Sequence, residues 1–106
     1  MQQITALQLK DKLEAPGAKP VLLDVREPWE FQICSIAGST HIPMGQIPAR
    51  LKELSKEGEI VAICHHGSRS QQVALFLENQ GFKNLYNLQG GVDAWGREID
   101  PKMNKY

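Results

Sequence analysis

The chain has 106 residues, and its twelve Lys and Arg cancel its twelve Asp and Glu to a formal net charge of zero. That balance gives no ground for nucleic-acid or membrane-surface binding, and no run reaches the ~18 apolar residues needed to cross a bilayer. A single domain of this length, 42% hydrophobic, buries about two-thirds of its unfolded surface and needs no metal or disulfide staple.

Taken in chain order, Thr5 and Gln8 have capping-box spacing ahead of a helical face of Ala6, Leu9 and Leu13, which stops near Pro16-Gly17. Val21-Leu22-Leu23-Asp24-Val25 follows Pro20 as a short buried strand. Glu27 to Phe31 suits a short helix with Pro28 in its first turn. Gly38-Ser39-Thr40-His41-Ile42-Pro43 reads as a short strand between turn residues. Ile47, Leu51 and Leu54 recur at helical spacing, and Gly58 breaks the chain before the strongest strand, Glu59–Cys64. Ser70–Gln80 is the strongest helix, with Val73, Ala74 and Leu77 inward and Gly81 as its stop. Leu85–Leu88 is a further strand, and Gly90-Gly91 leads into a last helix carrying Val92, Ala94 and Trp95. Such alternation predicts an α/β fold with a mainly parallel central sheet and helices on both faces. Ligands then bind beyond the carboxyl ends of the strands.

Cys64 sits at such an end. The run Ile60-Val61-Ala62-Ile63-Cys64-His65-His66-Gly67-Ser68-Arg69-Ser70 passes from an apolar strand through a short polar loop into a helix. A helix N-terminus gathers unpaired N–H groups and positive dipole, which favours the reactive thiolate. There is no Cys-x-x-Cys pair, since the other cysteine is the distant Cys34, so neither a dithiol motif nor a zinc ribbon is indicated. The opening residues lack a basic segment followed by an apolar run, and a cytoplasmic location with reduced thiols is expected.

Four segments together resemble the single-domain rhodanese, or sulfurtransferase, family. They are Asp24–Phe31, Gly38–Pro43, the loop Cys64-His65-His66-Gly67-Ser68-Arg69, and Gly90-Gly91-Val92-Asp93-Ala94-Trp95, in the family's order. The resemblance covers nearly the whole chain. It implies a rhodanese-like fold over 1–106, with a five-stranded sheet, a core over about 3–98 and a tail over 99–106. It further implies that Cys64 accepts a sulfane sulfur as a persulfide and hands it to cyanide, a thiol or a protein thiol, with no cofactor and no metal. Thiosulfate or a persulfide is the expected donor, and a monomer or weak dimer the expected state. On this reading Gly67 lets the loop curve around the anion, and Ser68 and Ser70 offer hydroxyls, with Ser70 also capping the helix. Arg69, always charged, is placed to bind an anionic donor. His65 and His66 add partial positive charge near the site.

Other residues have plainer roles. Cys34 lies outside every motif and is expected to be a packed thiol. Asp24 and Arg26 suit a structural ion pair, Trp29 and Trp95 suit core or rim packing, and Gly90-Gly91 suits a tight turn. A zinc site built from His41, His65, His66 and a cysteine has poor spacing support. The competing activities are a small cysteine phosphatase and a non-catalytic interaction module. Phosphatases of this fold place five residues between the cysteine and the arginine, whereas four separate Cys64 from Arg69. The smaller loop suits one sulfur atom, and the retained Cys64 argues against a purely non-catalytic module.

Overall fold

A computed structural model describes residues 1–106. The capping box forms at the first helix, α1 (Ala6–Glu14): the Gln8 N–H donates to Thr5 Oγ1 at 3.1 Å, and Thr5 N–H donates to Gln8 Oε1 at 2.9 Å. The remaining helices are α2 (Pro28–Ile33), α3 (Ser68–Asn79) and α4 (Gly91–Glu98). The strands are β1 (Gln2–Ile4), β2 (Val21–Asp24), β3 (Thr40–His41), β4 (Ile60–Ile63) and β5 (Leu85–Leu88). They make one sheet in the order β1-β5-β4-β2-β3, and every pairing is parallel.

The hydrophobic run of β4 follows from its central place, with all four residues buried between neighbours β5 and β2. Its side chains serve both faces. Val61 and Ile63 join Leu9, Leu22, Leu88, Val92 and Trp95 on the side covered by α1 and α4. Ile60 and Cys64 join Leu23, Ile42, Ile47, Val73 and Leu77 on the side covered by α3. Leu9, Leu23, Ile42, Leu77 and Leu88 are fully excluded from water, each worth about 1.5–3 kcal/mol of transfer free energy. No helix is long and apolar enough to cross a membrane.

Several local expectations change. The fifth strand is β1, an edge strand whose Gln2 and Gln3 are exposed, so it carries no apolar pattern; Gln3 pairs with Asn87 and Ile4 with Leu88. Ile47–Leu54 is not an α-helix: 3-10 turns form over Met44–Gln46 and Pro48–Glu53. Pro48 offers no N–H, and Arg50 leaves helical geometry at φ −117°, ψ 20°. Helix α3 begins at Ser68, two residues before its predicted start, because Gly67 turns the chain at φ 107° and serves as N-cap. Ser70 therefore lies inside the first turn and caps nothing. The tail is not outside the core either, since Ile99, Met103 and Tyr106 pack against the cluster beneath α1 and α4.

Candidate active site

Cys64 follows the last residue of β4 and is 1% exposed. Its Sγ lies 3.1 Å from the Gly67 backbone N and 3.3 Å from Ser70 Oγ. Both donors come from the start of α3, so the sulfur lies at the positive end of that helix. The back of the loop is held by α4. Val92 N donates to the Cys64 carbonyl at 2.9 Å and Asp93 N to the His65 carbonyl at 3.1 Å. Those bonds require close approach: a Cβ on Gly91 would lie 2.3 Å from Cys64 O and 2.4 Å from His65 O. The Gly90-Gly91 pair is thus more than a tight turn. Its two left-handed residues, φ 79° and 58°, press the N-terminus of α4 against the carbonyl side of the loop.

The predicted loop residues divide between two sides. His66, Gly67 and Ser68 border an open polar depression of about 490 Å³ with Gln3, Gln71 and Asn87. His65 faces the tail, its ring stacked on Tyr106 at 3.9 Å and on His66 at 3.9 Å. Burial, reinforced by the neighbouring His66, pushes the His65 pKa down. Arg69 turns towards α2 and forms a two-pronged ion pair with Glu30, Nη1–Oε2 2.7 Å and Nη2–Oε1 2.9 Å. That arginine holds the Glu30 carboxyl down to about 2, and Glu30 raises Arg69 in turn. Two of the five guanidinium hydrogens are engaged by Glu30, and the side chain stays 35% exposed.

Behind this pair lies a second, wholly buried one. Arg26 donates to Asp24 through Nε at 2.9 Å and Nη2 at 2.7 Å, and both residues are fully buried. Nη2 also reaches the Cys34 carbonyl at 2.7 Å, and Nη1 reaches Tyr106 Oη at 2.8 Å. Burial works against the Arg26 charge, but the bonds from Asp24 and Tyr106 outweigh it and raise its pKa. The expected structural ion pair is therefore present. It frames the segment after β2, where His41 closes on the Arg26 carbonyl at 2.7 Å. Cys34 is a part-buried free thiol packed beneath α4. Trp95 is a core residue at 8% exposure, whereas Trp29 is 60% exposed and meets Tyr106 edge-on at 5.7 Å.

Three site residues escaped the sequence reading. Glu30 lies within a recognised segment but carries no sign of a partner 39 positions away. Asn87 sits in a strand whose pattern reads only as core, and it donates to the Gly67 carbonyl at 3.1 Å. Tyr106 donates to Glu30 Oε1 at 3.0 Å from a tail without periodicity. Burial raises the Tyr106 phenol to about 12.

One cluster of potential metal ligands lies beside the loop. His65, His66 and Asp93 bring ligand atoms within 4.8 Å of one another. The two imidazoles stack with 28° between their planes, so their in-plane lone pairs run side by side instead of converging. Arg97 also holds Asp93 Oδ2 at 3.2 Å.

A family model described as Rhodanese-like domain matches residues 5–98. The chain is 41% identical over 102 residues to "Putative sulfurtransferase YtwF" of Bacillus subtilis, covering 96% of this chain and 97% of that protein. It is 29% identical over 104 residues to "Thiosulfate sulfurtransferase GlpE" of Tolumonas auensis, covering 95% of each. A 36% match to "Adenylyltransferase and sulfurtransferase MOCS3-2" of Zea mays spans 98% of this chain but 23% of that protein. Among solved structures, a rhodanese-like domain protein from Staphylococcus aureus superposes with a TM-score of 0.86 at 34% identity, covering 93% of this chain and 95% of that one. Fold, order of motifs and relatives agree, and the chain belongs to the rhodanese-like domain family, whose members here include proteins named as sulfurtransferases.

Proposed function

We propose that this protein is a sulfurtransferase that carries sulfane sulfur on Cys64, with thiosulfate or a related compound as donor. The observation that carries the reading is the sulfur's setting: Cys64 Sγ at the N-terminus of α3, against the Gly67 N–H and the Ser70 hydroxyl. The Cys64 thiolate attacks the sulfane sulfur of thiosulfate. The sulfur–sulfur bond breaks and sulfite leaves with its electron pair, giving Cys64–S–S⁻. An acceptor such as cyanide or a thiolate then attacks the outer sulfur and restores the Cys64 thiolate. N–H groups of the loop and the helix dipole supply the stabilisation that the outer, anionic sulfur needs, without a metal or organic cofactor.

Gly67, Ser68 and Ser70 shape the cradle, and His66 borders its mouth while His65 faces the tail. The exposed part of Arg69 is placed to meet an anionic donor as Glu30 holds it still. Its orientation also weighs against phosphate chemistry. A loop arginine gripping a phosphoryl group needs its fork inside the cradle, and here two of its hydrogens are engaged outside it by a buried carboxylate. A protein thiolate can attack the outer sulfur as a small thiophile does, so either serves as acceptor in this scheme.

Intact-mass measurement after treatment with thiosulfate and removal of excess donor tests the reading. A gain of about 32 Da, one sulfur atom covalently held, is expected on the native protein and not on Cys64→Ala. A folded protein that gains no sulfur from thiosulfate or from a persulfide donor overturns it.

A further inference from the structure

We infer that Asn87 is a positioning residue for Cys64, acting through the single hydroxyl hydrogen of Ser70. Asn87 is 2% exposed on β5, with both amide hydrogens and its carbonyl oxygen engaged. Its Nδ2 donates to the Gly67 carbonyl at 3.1 Å and to Gln3 Oε1 at 2.9 Å. A backbone carbonyl only accepts, so the Gly67 contact fixes which end of the amide is nitrogen. The Oδ1 atom then faces Ser70 and only accepts from it. Gln3 completes the orientation from β1, where it is the register partner of Asn87, and its own Nε2 is tied to Gln71 Oε1 at 3.1 Å.

Ser70 has one hydrogen and two candidate acceptors, Asn87 Oδ1 and Cys64 Sγ at 3.3 Å. When Cys64 is a thiol, the chain runs one way: S–H to Ser70 Oγ, and Ser70 O–H to Asn87 Oδ1. When Cys64 is a thiolate, both Sγ and Oδ1 ask for the same hydrogen. When Cys64 carries a second sulfur, Sγ is no longer the anion, and the hydroxyl hydrogen returns to Asn87. Asn87 therefore competes with the thiolate for the Ser70 hydrogen. The device leaves the sulfur less firmly solvated, and so more nucleophilic, as a thiolate. The inference rests on the sulfur-carrier reading for its purpose, but its geometry is testable without any sulfur donor.

The protonation of Cys64 is followed against pH through the 13Cβ shift in cysteine-labelled protein, with Cys34→Ser assigning the two signals. Ser70→Ala removes the donor and moves the Cys64 midpoint to higher pH. Asn87→Ala removes the competitor and moves it to lower pH. Each shift is expected to be about one pH unit, the size of one hydrogen bond to a charged sulfur. Asn87→Leu, which keeps the branching at Cγ without polar atoms, moves it downward as Asn87→Ala does and stands in if that variant fails to fold. The charges around the loop, Arg69 on α3, Glu30 on α2, Asp93 on α4 and the two histidines, are unchanged in every variant. Opposite directions for Ser70→Ala and the apolar Asn87 variants support the inference; an unmoved midpoint, or a shared direction, overturns it. Sulfur loading measured separately distinguishes the two readings. Opposite shifts in a protein that takes up no sulfur would uphold Asn87 and discard sulfur transfer.

Discussion

Glu30 and Arg69 meet through two parallel charge-assisted hydrogen bonds of 2.7 and 2.9 Å across 39 residues of sequence. The contact ties α2 to the cysteine loop. Glu30 is 4% exposed and accepts two further bonds, from Glu27 N at 2.9 Å and Tyr106 Oη at 3.0 Å. A carboxylate so placed is stabilised in the fold relative to the unfolded chain. Its folded value of about 2 lies below the ordinary 4.5. The sign is that of a depressed acid: its contribution is fully present above pH 4.5 and is lost as pH falls towards 2. With the partner part-exposed, the contribution is about 2 kcal/mol. Urea unfolding across this pH range is expected to show a steep acid loss in the native protein and a flatter one in Glu30→Gln. An equal acid slope in both would contradict the pairing.

The same pair dictates how Arg69 must be tested. Arg69→Ala alone leaves a buried carboxylate without its partner, and lost loading could then reflect loop damage. In the double variant Arg69→Ala/Glu30→Gln the buried charge is removed together with the arginine. Its loading by thiosulfate is expected to need about tenfold more donor, the value of about one charge-assisted contact. Loading by a neutral persulfide donor should change little. Equal losses with both donors would remove Arg69 from donor binding.

Much of this was legible in the residues. The run Ile60–Ile63 gave a buried central strand, because a strand covered on both faces shows no alternation. Thr5 and Gln8 gave the first helix boundary, since both halves of a capping box are local in sequence. Cys64 and Gly67 were legible for the same reason: a strand end, a glycine turn and a helix start lie within a few residues. Strand β1 was not, because an edge strand with two exposed glutamines has no period to show. Ser70 looked like a cap because its type suits that position, but the left-handed Gly67 had already turned the chain. Glu30, Asn87 and Tyr106 were hidden by distance, since their partners are set by the stacking of β5, α2 and the tail on one loop.

Gly91 provides a test of loop geometry that leaves the chemical groups intact. An added Cβ would meet the carbonyls of both Cys64 and His65, at 2.3 and 2.4 Å, and neither is a flexible side-chain end. The backbone there, at φ 58°, also disfavours a side chain. Gly91→Ala is therefore expected to lower stability by about 2 kcal/mol or more. It should also cut sulfur loading far more than the lost folded fraction accounts for, since α4 and the loop must separate. Thermal unfolding with loading measured on the folded fraction checks this, and a fully loading, equally stable variant would refute the close approach.

Tyr106 covers the ring of His65. The two rings stack at 3.9 Å with 15° between planes, and the phenol is anchored by Arg26 and Glu30. Burial is the leading cause of the depressed His65 value, so removing its cover restores water to the imidazole. For a histidine held neutral in this way the fold is favoured above its unfolded value, near 6.5, and the contribution is lost as pH falls through the depressed one. Tyr106→Ala should raise the His65 midpoint towards the ordinary range and remove that share of the acid sensitivity, an effect separable from that of Glu30 because it lies at higher pH. Proton NMR of the histidine ring signals against pH reads it directly, with His65→Gln assigning the peak. Tyr106→Phe keeps the stacked ring, so it should leave His65 lower than Tyr106→Ala does while breaking the bridge between Arg26 and Glu30. A His65 midpoint indifferent to the loss of the ring would show that the tail does not shield the loop.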